Sequence, residues 1–254
     1  MDNLEVKFYD TVNDELLKFA VIISQSNGKW VFCKHKERDT YEVPGGHREA
    51  GENILETAKR ELQEETGAVE FEVKPICVYS VTGKTRVNDT GEETFGLLCF
   101  AEITEFAKEL HSEMEKVVPM DDLPENWTYP LIQPKLIEKY LQVKNNSIIG
   151  TIVTVTVDRP LGSYHPGHKD MYYPVNYGYI EGVMAPDGEE QDAYILGVNE
   201  PVGKFTGKII AIVQRKDDIE EKWVVVPDGM AFSKEEIRRQ IHFQEQYFES
   251  EIVM

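Results

Sequence analysis

The sequence predicts an α/β domain over residues 1–144 followed by a mostly β domain over residues 148–254. Three observations carry that expectation. At 254 residues the chain is long for one ordinary domain and comfortable for two. Its first half alternates apolar β-type runs with helical patterns, while its second half is dominated by β-branched runs. Between them lies Gln142–Asn146 (QVKNN), a polar stretch without periodicity and the expected linker.

Taken in order, Leu16–Ser24 (LLKFAVIIS) and Lys29–His35 (KWVFCKH) read as strands separated by the turn-like QSNG of Gln25–Gly28. Tyr41–Gly46 (YEVPGG) reads as a strand ending in a Gly-rich turn. Asn53–Thr66 reads as a helix: Ile54, Leu55, Ala58 and Leu62 fall on one face, and Gly67 supplies the stop. Strands are expected at Val73–Val81 and Phe95–Ile103, and a closing helix at Pro130–Leu141. Beyond the linker, Thr151–Val157 (TIVTVTV), Ala193–Leu196, Lys208–Gln214 and Lys222–Val226 read as strands. A terminal helix, Lys234–Phe248, starts at Ser233, with Glu236 completing a capping box.

Composition narrows the function. Net charge is −19, spread over both halves: 17 basic against 28 acidic residues up to Asn146, and 10 against 18 beyond it. An acidic surface of that kind disfavours a long nucleic-acid footprint, which depends on Lys and Arg to neutralise phosphates. It leaves room for a small phosphorylated substrate whose charge a metal ion offsets. No apolar run is long enough to span a bilayer, and the N-terminus lacks the pattern of a secretory signal. The three cysteines, Cys33, Cys77 and Cys99, form no CxxC pair and read as reduced thiols, so a cytoplasmic protein is expected. The sequence is compatible with an oligomer.

The chemistry concentrates in Gly46–Ala68. Glu61, Glu64 and Glu65 stand at i, i+3 and i+4 and share a helix face, where like charges repel unless a cation binds between them. A hard divalent ion with oxygen ligands suits that face, with Arg60 beside it to hold a glutamate and Gly46 leaving its carbonyl approachable. Metal-bridged phosphates and an activated water then point to phosphoanhydride cleavage.

The spacing Gly46, five residues, Glu52, seven residues, Arg60-Glu61-Leu62-x-Glu64-Glu65-x-Gly67-Ala68 resembles the Nudix family at every position. A chance match is on the order of 10⁻⁸ per starting position at average residue usage. The resemblance implies an α/β sandwich with a mixed sheet between helices. It also implies Mg²⁺ (or Mn²⁺) held by Glu61, Glu64, Glu65 and Gly46, and catalysis by Glu61, Glu64 and Arg60. Within the family, Cys33–Glu52 resembles the branch of 8-oxo-dGTP diphosphatases and RNA 5′-pyrophosphohydrolases; a nucleotide sugar is a further alternative substrate. A glutamate outside the motif reaches the metals in several members; Glu93 or Glu92, then Glu113 and Glu115, are the candidates. Glu52 is placed among the substrate-binding residues.

A second constellation follows the linker. Tyr172–Gly182 (YYPVNYGYIEG), Asp187–Gly197 (DGEEQDAYILG) and Arg215–Pro227 (RKDDIEEKWVVVP) together resemble family I soluble inorganic pyrophosphatase over most of Gly150–Phe248. That resemblance implies an OB-like β-barrel binding several Mg²⁺ ions. Asp187 and Asp192 match its acidic signature, with Glu189 in place of the central Asp; Glu220 and Asp217 are further candidate ligands. Tyr177 and Lys222 match catalytic positions, and Tyr247 a Tyr near the C-terminus. This domain is short for that family. The expected Lys after the C-terminal Tyr is Phe248, and Arg159, His165, His168 and Lys169 occupy the upstream region in a different pattern. His165 and His168 read equally as substrate contacts and as a polar turn around Pro166–Gly167. Such a domain is either a minimal pyrophosphatase or a barrel kept for binding. The fusion suggests that a triphosphate is split to monophosphate and pyrophosphate, with the second domain consuming the pyrophosphate.

Overall fold

A computed structural model describes residues 4–85, 88–107, 114–185, 187–215, 218 and 220–254, with backbone alone at 114–116. The chain divides into two compact units, Met1–Val143 and Lys144–Met254.

The first unit is built from β1 (Glu5–Tyr9), β2 (Leu17–Ser26), β3 (Lys29–His35), β4 (Tyr41–Glu42), β5 (Gly45–His47), α1 (Ile54–Thr66), β6 (Ala68–Thr82), β7 (Thr94–Phe106), β8 (Met114–Met120) and the part of α2 (Gln133–Ile148) up to Val143. The sheet runs β1-β6-β7-β2-β3-β4, with β5 on β2 and β8 on β3. It is mixed because β2 and β7 are parallel while the other pairings are antiparallel.

Strand alternation sends neighbouring side chains to opposite faces, and each face meets its own helix. Ile22, Val31, Leu97 and Cys99 pack with Ile54, Ala58 and Leu62 of α1. Their chain neighbours Ile23, Phe32, Leu98 and Phe100 pack with Leu136, Ile137 and Tyr140 of α2. The expected sandwich is therefore observed.

Two expectations need correction. Gln142–Asn146, within which the chain divides between Val143 and Lys144, are helical rather than irregular, since α2 runs on to Ile148. Gly45 and Gly46 are not a turn but part of β5, in register with Val21 and Ala20. Strands β1 and β8 were not expected at all, and β6 starts at Ala68, directly after the left-handed Gly67 that caps α1 (φ 70°).

The second unit contains β9 (Ile152–Arg159), β10 (Asn176–Met184), β11 (Glu190–Ile195), β12 (Lys204–Arg215), β13 (Glu221–Val226), α3 (Lys234–Glu245) and β14 (Ser250–Val253). Strand β13 pairs with β11, β11 with β10, β10 with β9, β9 with β12, and β12 returns to β13, closing a five-stranded barrel; β14 adds to β12. Closure removes the exposed edges that a short open sheet would carry. Tyr194, Val224 and Val226 pack with Ile237 and Ile241 of α3, while Ala193, Ile195, Trp223 and Val225 form a separate cluster from the other face. The Ser233–Glu236 capping box is present, but α3 stops at Glu245, three residues short of expectation. No helix among the described residues is long and apolar enough to cross a membrane.

Barrel closure requires β9 and β10 to approach closely at Gly178, where their register shifts. A Cβ there would overlap the Thr156 carbonyl and stand 2.7 Å from Val157 Cα. Gly178→Ala is expected to destabilise the chain by about 1–3 kcal/mol, read as a lower urea midpoint. Gly203→Ala, whose added Cβ meets nothing within 4 Å, leaves that midpoint in place.

Candidate active site

In the first unit, α1 is fixed at both ends before its charged face is considered. Asn53 accepts from the backbone N–H groups of Leu55 and Glu56, and the Glu56 carboxylate accepts from Asn53 N–H. Leu62 and Ala58, fully buried, hold the opposite face to the sheet. The outward face then presents its carboxylates to one guanidinium. Arg60 Nε and Nη2 reach Glu52 at 2.6 and 3.1 Å; Nη1 reaches Glu61 at 2.8 Å and Glu64 at 3.2 Å. Its remaining contact is the His47 carbonyl, 3.0 Å away on β5.

These contacts separate the roles of the acids. Glu52 is held low, at about 2, chiefly by its hydrogen bond to Arg60 and then by the Glu49 backbone N–H. It also accepts from Thr57 Oγ1, so its carboxylate acts as the anchor for Arg60. Glu61 behaves oppositely: burial pushes its carboxyl above the ordinary range against the pull of Arg60. Glu65 accepts from Gly45 N at 2.9 Å, and Glu64 is the most exposed of the three helix-face acids, at 57% against 12% for Glu61.

Gly46 is a glycine because of Glu61. A Cβ at position 46 would overlap the Glu61 carboxylate, so a side chain there would displace that carboxylate from its present place. The result is a cradle of carboxylate and carbonyl oxygens with more negative charge than Arg60 neutralises. An all-oxygen donor set of this kind fits a hard divalent ion. Among the described residues, however, no three His, Cys, Asp or Glu side chains stand grouped as a ready-made metal set. Arg60 instead occupies the carboxylates.

Glu61, Glu65, Gly45 and Gly46 also line a cavity of about 420 Å³, whose walls include Arg38, Glu42, Tyr129 and Gln133. None of those last four was signalled by the sequence, because they come from separate segments and share no local spacing. Glu93 does not line the cavity; its carboxylate accepts from Ser80 Oγ at 2.7 Å and Tyr9 OH at 3.0 Å. Glu92 is exposed in the turn before β7. Glu113 and the Glu115 side chain lie outside the described residues.

In the second unit, the parallel register Ala193↔Trp223 sets Asp192 beside Lys222. Lys222 Nζ meets Asp192 at 2.6 Å and also pairs with Glu220, and Tyr177 OH donates to the same Asp192 oxygen at 2.6 Å. Burial raises the Tyr177 phenol well above its usual range, so it stays a donor. Arg159 lies 5.1 Å from the Tyr177 ring and 5.9 Å from the Tyr173 ring. Arg159 Nε, Ser163 Oγ and Tyr173 OH are buried without a partner among the described residues.

Tyr177, Asp192, Lys222 and Glu220 are thus brought together. Asp187 and Glu189 stay in the β10–β11 turn, where Asp187 accepts from Glu189 N. Asp217 lies outside the described residues. His165 Nδ1 accepts from Gly167 N and His168 N, a turn-forming arrangement, with the two imidazoles 4.9 Å apart. Tyr247 is exposed, whereas Phe248 stacks on Arg215 at 3.5 Å. Arg215 is enclosed by Glu245 at 2.7 Å, Glu220 at 3.0 Å and Asp218 at 3.2 Å.

Comparison with known proteins gives four results. Residues 15–140 match the model of the NUDIX domain. The Bacillus subtilis (strain 168) protein named "Putative 8-oxo-dGTP diphosphatase YtkD" is 32% identical over 126 residues, covering 49% of this chain and 75% of that protein. Among solved structures, the Bacillus subtilis pyrophosphohydrolase BsRppH is 26% identical with a TM-score of 0.47, covering 56% of this chain and 91% of that one. An inorganic pyrophosphatase from Coxiella burnetii is 19% identical with a TM-score of 0.33, covering 41% and 84%.

Arg215 and Glu245 are both buried, and removing Glu245 leaves Nε and Nη2 of Arg215 and the buried Tyr194 hydroxyl without the carboxylate they share. Glu245→Ala is expected to cost about 3–5 kcal/mol in chemical denaturation. Asp218→Ala, at the more exposed side of the same guanidinium, costs about 1 kcal/mol or less.

Proposed function

The chain belongs to the Nudix family, and from that premise we propose that its first unit hydrolyses a nucleoside triphosphate, oxidised dGTP included, to a monophosphate and pyrophosphate. The observation that carries this reading is the carboxylate face of α1 opening into the 420 Å³ cavity through Glu61, Glu65 and Gly46. A cavity of that size suits a nucleotide-sized ligand.

The residues divide the work as follows. Glu61, Glu64, Glu65 and the Gly46 carbonyl would hold Mg²⁺ or Mn²⁺. When bound, the ion would neutralise phosphate charge and acidify a coordinated water. Arg60, anchored by Glu52, keeps the acids of α1 in place. Glu61, at the cavity wall, is on this reading the group that accepts a proton from the attacking water. The water oxygen bonds to phosphorus, and the bridging oxygen between the α- and β-phosphates leaves. The cavity walls exclude bulk water from the bound phosphates.

The second unit, on this reading, hydrolyses the pyrophosphate released. Support comes from the Asp192–Lys222–Tyr177–Glu220 cluster. It combines candidate metal-binding acids with a buried Lys and a phenol able to donate to phosphate oxygen. Removing pyrophosphate would draw the first reaction forward.

Phosphorus NMR of the protein with Mg²⁺ and a triphosphate is expected to show monophosphate and orthophosphate. Glu64→Gln is expected to reduce triphosphate loss by a factor of about 10² or more. Asp192→Asn is expected to leave triphosphate loss intact and make pyrophosphate accumulate. Persistent pyrophosphate with the unaltered chain refutes the coupling; unchanged turnover in Glu64→Gln refutes the site.

A further inference from the structure

Residues 162–173 of the second unit form a hairpin outside the named strands. Gly162 N–H donates to the Tyr173 carbonyl, Tyr173 N–H to Ser163 O and His165 N–H to Met171 O, each at 2.9 Å. Near its tip, His165 Nδ1 accepts from the backbone N–H groups of Gly167 and His168, both at 3.0 Å. An Asn or Asp side chain closes a turn of this kind as well, so the turn alone does not account for an imidazole. Two N–H groups aimed at Nδ1 exclude a proton from it. The ring is therefore neutral and carries its proton on Nε2. Burial, then the charges of Arg159 and His168, hold its pKa below the usual value, with Asp158 opposing them. The side chain is half-buried, and Nε2 has no hydrogen-bond partner among the described residues and is not itself buried.

The ring sits beside the cluster around Asp192. It lies nearly parallel to the Tyr173 ring, 6.4 Å away and inclined by 18°. Tyr173 is 5.6 Å from Tyr177, and the Arg159 guanidinium stands over both phenol rings. The nearby acids are met by protein donors: Asp192 by Tyr177 and Lys222, Asp158 by Arg159 at 3.6 Å. The group left open on His165 is a donor, and a donor beside a guanidinium suits an anionic oxygen. We propose that His165 binds the substrate of the second unit, its Nε2–H donating to a terminal oxygen of pyrophosphate. The inference rests on the second unit acting on pyrophosphate. It adds a neutral phosphate contact in a domain that carries Phe248 where a Lys was expected.

Two substitutions separate the two nitrogens. Asn at position 165 supplies an acceptor near Nδ1 for the turn and has nothing at Nε2; Gln supplies an amide N–H near Nε2 and lacks the turn acceptor. Phosphate release from pyrophosphate with Mg²⁺ gives kcat and KM, and thermal melting reports the fold. His165→Asn is expected to raise KM about tenfold, the loss of one hydrogen bond to a charged group. Its kcat is expected to stay within about twofold of the unaltered chain, and its melting temperature to hold. His165→Gln is expected to keep KM within about threefold of the unaltered chain, with a lowered melting temperature. An unchanged KM in His165→Asn overturns the proposal and leaves the pyrophosphatase reading standing. So does an equal rise of KM in both variants, which would trace the effect to the ring or the turn and not to the donor. No phosphate release by the unaltered chain overturns the pyrophosphatase reading, and the proposal with it.

Discussion

Everything in the first unit is arranged around a charge imbalance on α1. Glu52, Glu61 and Glu64 share the single guanidinium of Arg60, and Glu65 follows on the same helix. One cation among that many acids leaves net negative charge where like charges already oppose the helix. The helix persists because its caps and its buried Leu62 face do not depend on those residues. Its outer face can then stay acidic and receptive to a divalent ion. Gly46 belongs to the same arrangement: with no side chain there, β5 leaves the Glu61 carboxylate in its present place.

The second unit treats its acids differently. Asp192 and Glu220 are matched by Lys222, and Glu220, Asp218 and Glu245 by Arg215, with both cations buried. Two buried cations are thus shared among four acids, and the cluster keeps a net negative charge. Beside them Arg159 is paired with Asp158 and lies over the Tyr173 and Tyr177 rings.

How much was legible in the sequence follows from how local each signal is. Helix α1, with its Asn53 cap, Gly67 stop and acidic face, was readable to within a residue because capping and 3.6-residue periodicity act over a few positions. Strand β10 was not, since NYGYIEGVM carries two glycines and becomes a strand through its partners β9 and β11. Residues Gln142–Asn146 looked like a linker by polarity, and the chain does divide within them, yet α2 runs on through them to Ile148. At the site, Arg60 and the glutamates were legible from spacing, while Glu42 and Gln133 reach the cavity from a short strand and from the start of α2. No sequence pattern joins those two positions. The reason for Gly46 also changed, from a turn to a contact across β5 and α1.

The central claim is that the acidic face of α1 is a divalent-cation site. The most direct measurement is the melting temperature of the intact chain as Mg²⁺ is titrated, because an ion that binds only the folded state raises it. The account predicts a rise that shrinks when Glu61 and Glu65 are both replaced by Gln. An equal rise in that variant, or none in the unaltered chain, would contradict it.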